Sequence, residues 1–261
     1  MNRITNLFAQ PRSKLIPFIT AGYPSLDSTI PLVLAAEAAG ADMIELGMPF
    51  SDPLADGPII QKSSQIALSN GVTVKWILEQ VSLIRRGGCE IPIVLMGYIN
   101  PIMQYGWQDF IKDCKQVGVD GLIIPDLPPE ECKKITDEMK KCDLIPIMLV
   151  APNTPDSRIT KISKISGGLL YCVSVLGVTG DKSADNQDLI DYLMRVKKNS
   201  TAPYVVGFGI KSPQDVELIN QHSDGAVVGS ALINAMEGAA DPIEIASSFI
   251  SMLKNLDRKN R

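Results

Sequence analysis

The chain has 261 residues, of which 45% are hydrophobic and 21% charged, ordinary proportions for a globular protein with a large buried core. Its 25 basic and 29 acidic residues leave a net charge of −4 with both signs interspersed, so it carries no basic footprint for nucleic acid or an anionic membrane. The segment Met1 to Lys14 lacks the apolar run of a signal peptide, and no uncharged apolar stretch approaches the ~18 residues of a membrane span. A cytoplasmic protein is expected. Five cysteines (Cys89, Cys114, Cys132, Cys142 and Cys172) are an odd number without a C-x-x-C pair, which fits reduced thiols better than disulfides or a zinc site. The single histidine, His222, lies near the end of a predicted helix and excludes Ser-His-Asp and multi-histidine schemes.

Short apolar, β-rich runs recur along the whole chain. They are Leu15–Thr20, Met43–Met48, Pro92–Tyr98, Gly121–Pro125, Ile145–Val150, Leu169–Ser174, Tyr204–Phe208 and Ala226–Gly229. Most are continuously apolar rather than alternating, as parallel strands covered on both faces must be. Helical patterns fill the gaps at Ser25–Ala39, Val74–Arg86, Trp107–Val117, Glu130–Lys140, Asp156–Ile165, Asn186–Lys197 and Pro213–Gln221. Eight strands alternating with helices predict a closed (β/α)8 TIM barrel. An open doubly wound sheet is the alternative, but it would not need eight equal units. No Gly/Ser linker or low-complexity segment divides the chain, so residues 1–261 read as one domain.

Two departures from this regularity are informative. Met1–Gln10 is an amphipathic segment expected to form a helix plugging the bottom of the barrel. The longest gap, between the second and third strands, holds a loop with Asp52 and Asp56 and an extra helical piece around Ile60–Leu68. Barrel active sites lie on the loops that follow the C-terminal strand ends. After the sixth strand, Gly177 to Ala184 is polar and glycine-containing, and its position predicts a mobile lid.

At the seventh and eighth strand ends, Gly207, Gly209 and Gly229 let the backbone approach a ligand closely. Ser230 leads into a helical run, Ala231–Glu237, whose first N–H groups would point at an anion. Loops after strands seven and eight are the recurrent phosphate site of this fold, so phosphate is placed here. On the second strand, Met43, Glu45 and Gly47 share one face. An inward Glu45 would sit at the mouth without an obvious partner and with a raised pKa, which suits a general acid–base. Asp52 and Asp56 stand in ordinary turn contexts, and Asp126 ends the fourth strand. Lys14 is expected to precede the first strand and Lys211 to follow the seventh. With no lysine inside a strand, a Schiff-base aldolase lacks a nucleophile.

These residues also carry a resemblance. Glu45-Leu46-Gly47-Met48-Pro49-Phe50-Ser51-Asp52-Pro53-Leu54-Ala55-Asp56-Gly57-Pro58 with Ile60-Gln61 resembles the signature of the tryptophan synthase alpha chain family. So do Pro17 to Pro24, Pro125-Asp126-Leu127-Pro128, Gly177-Val178-Thr179-Gly180 and Gly207-Phe208-Gly209-Ile210. The resemblance implies a cofactor-free lyase that cleaves indole-3-glycerol phosphate to indole and glyceraldehyde 3-phosphate. It implies that Glu45 is the acid–base acting on the ring carbon and the substrate hydroxyl, and that Asp56 holds the indole N–H. Phe18 and Tyr171 match residues lining the site, Gly180, Gly209, Gly229 and Ser230 match the phosphate shell, and Thr179 matches a lid threonine. It further implies a beta-chain partner carrying pyridoxal phosphate in an alpha-two beta-two complex, with Asp52, Pro53, Asp126, Leu127 and Pro128 toward the partner. Met48 and Leu176 depart from the residues usual in the family. Two other functions are alternatives: a mainly regulatory subunit with little turnover of its own, and another phosphate-binding barrel such as an isomerase of the same pathway. The second would need a different acid–base pair.

Overall fold

The computed structural model describes residues 2–173, 182–207 and 209–254. Eight parallel strands close into a barrel in chain order: β1 (Lys14–Thr20), β2 (Ile44–Gly47), β3 (Ile93–Met96), β4 (Gly121–Ile123), β5 (Ile145–Val150), β6 (Leu170–Val173), β7 (Tyr204–Gly207) and β8 (Gly225–Val228). The ring closes through β8 against β1, with Lys14 opposite Gly225 and Pro17 opposite Val228. Around it lie α1 (Arg3–Phe8), α2 (Thr29–Ala38), α3 (Pro58–Ser69), α4 (Val74–Arg86), α5 (Ile99–Tyr105), α6 (Trp107–Val117), α7 (Lys133–Lys141), α8 (Asp156–Ile165), α9 (Lys182–Asn199), α10 (Pro213–His222), α11 (Ser230–Met236) and α12 (Pro242–Lys254).

The continuously apolar strands are buried on both faces for one physical reason: one face fills the barrel and the other meets the helices. Inside, Ile16, Met43, Val94, Ile123, Ile145, Ile147, Leu169, Val205 and Val227 form one cluster. Ile4 and Leu7 of α1 complete it, so the N-terminal helix closes the barrel floor as its amphipathic pattern predicts. Asn2 holds that helix in place by donating to the carbonyls of Asp120 (2.9 Å) and Asp143 (2.7 Å).

The floor is also where the charges are satisfied. Asp42, Asp120 and Asp224 each precede a strand and accept the first free N–H of the strand before it. The donors are Leu15 (2.8 Å), Ile93 (2.8 Å) and Tyr204 (2.9 Å). Asp120 additionally pairs with Arg85 (2.7 Å) and Arg3 (3.1 Å), and Asp42 with Arg12 and Lys254. Lys254, in the last turn of α12, thereby ties the end of the described chain to the start of β2.

Several predicted bounds change. Lys14 is the first residue of β1, so the premise that no strand contains a lysine is wrong. It stands at the N-terminal end of the barrel, donates to the Gln10 carbonyl (2.6 Å) and lies over the Phe8 ring, which keeps it at the floor, opposite the mouth. Residues Leu26–Ser28 form a 3-10 turn before α2, α7 begins three residues later than predicted, and the third strand stops at Met96. Helix α9 begins at Lys182, which removes Lys182–Ala184 from the predicted lid loop; the rest of that loop lies outside the described residues. Helices α5 and α12 were not predicted. The Asn100-Pro101 pair reads as a turn, yet Pro is tolerated in a first helical turn. The start of α12 has a recognisable signal, Asp241-Pro242, where Asp241 accepts from Ile243 (3.0 Å) and Glu244 (2.9 Å).

The floor network yields a stability prediction. Asp120 and Arg85 side chains are only 4% and 11% exposed, so removing the acid leaves a buried guanidinium and a strand N–H uncompensated. Asp120→Ala is expected to lower unfolding stability by about 3–5 kcal/mol in urea titrations. A loss below about 1 kcal/mol would mean that the network is replaced by water.

Candidate active site

In register, Phe18 lies beside Glu45 and Glu45 beside Val94; Glu45 continues the inward row that Met43 begins. The side chain is 1% exposed, and among the described residues no donor reaches either carboxylate oxygen at hydrogen-bonding geometry. Burial, then the nearby Asp56 carboxylate, push its pKa up to about 8, against an opposing influence from the neighbouring Tyr171 hydroxyl. Glu45 is therefore a neutral acid near pH 7, able both to give a proton and to take one back.

Asp56 is held by a different device. The loop turns tightly, with Asp56 N–H on the Pro53 carbonyl (3.0 Å), and the chain enters α3 at Pro58. The Tyr98 hydroxyl donates to Asp56 Oδ2 (3.1 Å) and accepts from the Ala55 N–H (2.9 Å). Burial raises the Asp56 pKa, and the Tyr98 hydrogen bond opposes it. Tyr98 itself is buried, packs against Phe50 at 5.3 Å and immediately precedes α5. Sequence reading missed this residue. The available signal was a hydroxyl-bearing aromatic at the C-terminal end of a barrel strand.

Glu45 and Asp56 face one cavity of about 310 Å³ at the C-terminal end of the barrel. Phe18 and Tyr171 line it, as do Gly209, Gly229 and Ser230. The strand-end glycines divide by role. A Cβ at Gly207 would lie 2.4 Å from the Tyr171 hydroxyl oxygen, and one at Gly47 would lie 2.5 Å from the Phe18 ring. These two make room for the aromatic walls, and Gly207 also lines the cavity. At Gly209 nothing lies within 4 Å, so its backbone is open to the cavity. Gly229 precedes α11, whose first turn has no side-chain cap. Thr179 and Gly180 lie outside the described residues, as does Leu176.

Of the residues expected at a partner surface, Asp52, Asp126 and Pro128 are exposed, whereas Pro53 is buried and shapes the turn instead. Its neighbour Leu54 is 95% exposed and was not singled out. Asp126 also accepts from the Ile99 N–H (2.9 Å) at the start of α5. Met48 is accommodated because Gly97 lacks a Cβ; one there would lie 2.5 Å from Met48 Cε. His222, at the end of α10, uses its carbonyl to accept from the Tyr204 hydroxyl (2.6 Å), on the floor side.

The profile of the family described as tryptophan synthase alpha chain matches residues 4–259. The chain belongs to the tryptophan synthase alpha chain family. A tryptophan synthase alpha chain of Roseiflexus castenholzii is 44% identical over 260 residues, covering 97% of this chain and 100% of that protein. The crystal structure of the subunit alpha of Legionella pneumophila superposes with a TM-score of 0.92 at 35% identity, covering 99% of each chain. A chain of the Pyrococcus furiosus tryptophan synthase complex superposes at 0.84 with 36% identity, covering 93% and 98%. As a tryptophan synthase alpha chain, the protein is a lyase that cleaves indole-3-glycerol phosphate in tryptophan biosynthesis.

Two predictions follow from the geometry of the acids. The folded chain retains a proton on Glu45 that the unfolded chain releases above its ordinary value of 4.5. Stability from this group is thus present at low pH and is lost as pH rises from 4.5 toward 8. Glu45→Gln should abolish that dependence, gaining on the order of 5 kcal/mol over the parent by the alkaline end; a constant difference across pH would contradict it. Tyr98→Phe removes both contacts that hold the Asp56 loop. It should slow substrate cleavage roughly tenfold while leaving unfolding stability nearly unchanged.

Proposed function

We propose that Glu45 and Asp56 are the two acid–base positions of the cleavage reaction. The observation that supports this is a fully buried, unpartnered Glu45 carboxyl opening onto the same cavity as Asp56. In the proposed sequence, neutral Glu45 protonates the ring carbon bearing the glycerol side chain. Positive charge then resides on the ring nitrogen system, where the Asp56 carboxylate accepts the N–H. The Glu45 carboxylate so formed takes the side-chain hydroxyl proton. The new carbonyl forms as the carbon–carbon bond breaks, and the bonding electrons restore the aromatic ring. One proton is given and one recovered, so the chain ends as it began and the step requires no cofactor in this chain.

Phe18 and Tyr171 are the apolar and aromatic walls in this reading, and Gly209, Gly229 and Ser230 take the phosphate end. Gly180 and Thr179 would complete the shell and the lid. The whole chain acts as one domain, since all eight strands belong to one closed sheet. A beta chain carrying pyridoxal phosphate is the proposed partner, in an alpha-two beta-two assembly. Asp52, Asp126, Leu127 and Pro128 would face it, with the exposed Leu54 between the acid loop and the partner. Residence in the cytoplasm fits a chain in which, among the described residues, no helix is long and apolar enough to cross a membrane.

Indole release by the isolated chain, and again with a beta chain added, tests this proposal. Glu45→Gln is expected to lose about 10²- to 10⁴-fold in turnover in both settings, and Asp56→Asn a smaller but clear amount. Near-normal turnover of Glu45→Gln would sink the acid–base role. Turnover that appears only with the beta chain would favour a mainly regulatory subunit.

A further inference from the structure

We infer that Lys211 supplies the cation that holds the substrate's phosphate dianion, and so sets the preference for a phosphorylated over an unphosphorylated indole glycerol. This inference rests on the proposed placement of the phosphate at the β7 and β8 strand ends.

Lys211 lines the same cavity as Glu45 and Asp56, from the turn after β7, beside Gly209 and Ile210. Gly229 and Ser230 follow the adjoining strand β8, whose Val227 pairs with Gly207. The backbone at this position is fixed: the Lys211 N–H donates to Asp215 Oδ2 (2.9 Å), and Asp215 is itself locked in the capping box with Ser212 at the start of α10. The anchor is the main chain, which leaves the ammonium group uncommitted. It enters none of the ion pairs found among the described residues.

Charge gives this position its significance. Among the described residues lining the cavity, Lys211 is the only cation, while Glu45 and Asp56 bring two acids. A phosphate monoester carries about −1.5 to −2 at neutral pH, and no other described side chain lining the cavity brings a positive charge to meet it. Backbone N–H groups at Gly209, Gly229 and Ser230 offer partial charges and direction, not a full compensating charge. An exposed lysine beside them contributes a hydrated point charge without a burial cost, the usual way lysine engages phosphate. The cavity is then polarised, acidic beneath the ring and cationic at the phosphate, which matches a substrate that is neutral at one end and dianionic at the other.

The test compares the parent with Lys211→Met, Lys211→Arg and Ser230→Asp, after circular dichroism has shown all four folded. For Lys211→Met the KM for indole-3-glycerol phosphate should rise about 3- to 10-fold, the scale of one exposed ion pair to a multiply charged group, with kcat within about twofold. The difference from the parent should shrink in ~1 M salt, where charges are screened within about 3 Å. Lys211→Arg should restore most of the affinity. Titration with inorganic phosphate, which needs no turnover, should show the same loss in Lys211→Met, while the affinity for indole stays unchanged. A KM and phosphate affinity equal to the parent's in Lys211→Met would overturn the inference. So would an equal loss for the unphosphorylated indole glycerol, since that would mark lost packing. Ser230→Asp separates the two readings. If it weakens phosphate binding and Lys211→Met does not, only the lysine's role falls. If neither does, the phosphate placement falls with it.

Discussion

Burying the Glu45 carboxyl at the barrel mouth without a donor is unfavourable for folding, because an unsatisfied acid in an apolar surround has lost its water. The cost takes the form of a retained proton, and that proton makes the residue useful in chemistry. The surrounding structure has to tolerate this loss, and much of the fold reads as the means of doing so. Nine inward side chains, with Ile4 and Leu7 from below, make a dry and densely packed lumen under the acid. Gly47 and Gly207 yield their Cβ space to the Phe18 and Tyr171 rings, and these rings keep water from the carboxyl laterally.

The two ends of the barrel handle charge in opposite ways. At the floor, Asp42, Asp120 and Asp224 are all met by strand N–H groups, and two of them also by cations. At the mouth, among the described residues, no donor reaches the Glu45 carboxyl at hydrogen-bonding geometry, and the Asp56 carboxylate accepts from the Tyr98 hydroxyl. Stability therefore resides where no ligand binds, and reactivity resides where the strands end. The two lysines next to strands follow the same division. Lys14 is occupied at the floor by a carbonyl and the Phe8 ring, whereas Lys211 at the mouth enters no ion pair among the described residues.

The loop from Phe50 to Gly57 carries the acid and offers an outward surface within a few residues. Pro53 is buried and sets the turn, Asp52 and Leu54 project outward, and Asp56 points back to Tyr98. The exposed Leu54 adjoins Ala55, whose N–H donates to the Tyr98 hydroxyl that in turn donates to the Asp56 carboxylate. A short, covalently continuous path of this kind links an external surface with the cavity without requiring the barrel to deform.

The continuous apolar runs determined the barrel, because strands covered on both faces have no other way to be written, and eight of them with intervening helices close only one way. Alternation along β2 put Glu45 on one face with Met43 and Gly47; that this face is the inward one was settled by Met43 joining the cluster inside the barrel. The residues Glu45 to Pro58, with the shorter matching segments along the chain, carried the family resemblance. What the tertiary structure decided is everything that depends on which groups meet across the barrel. Lys14 proved to be inside a strand yet at the wrong end for chemistry, because a strand pattern does not say where hydrogen bonding to its neighbour begins. Helix α5 was hidden by Asn100-Pro101, a pair that reads as a turn until packing gives the first helical turn a place to form. Pro53 turned inward and Leu54 outward, and Tyr98 came to Asp56 across 42 positions. Local pattern constrains periodicity and faces; it carries no information about partners that only closure of the barrel brings within hydrogen-bonding distance.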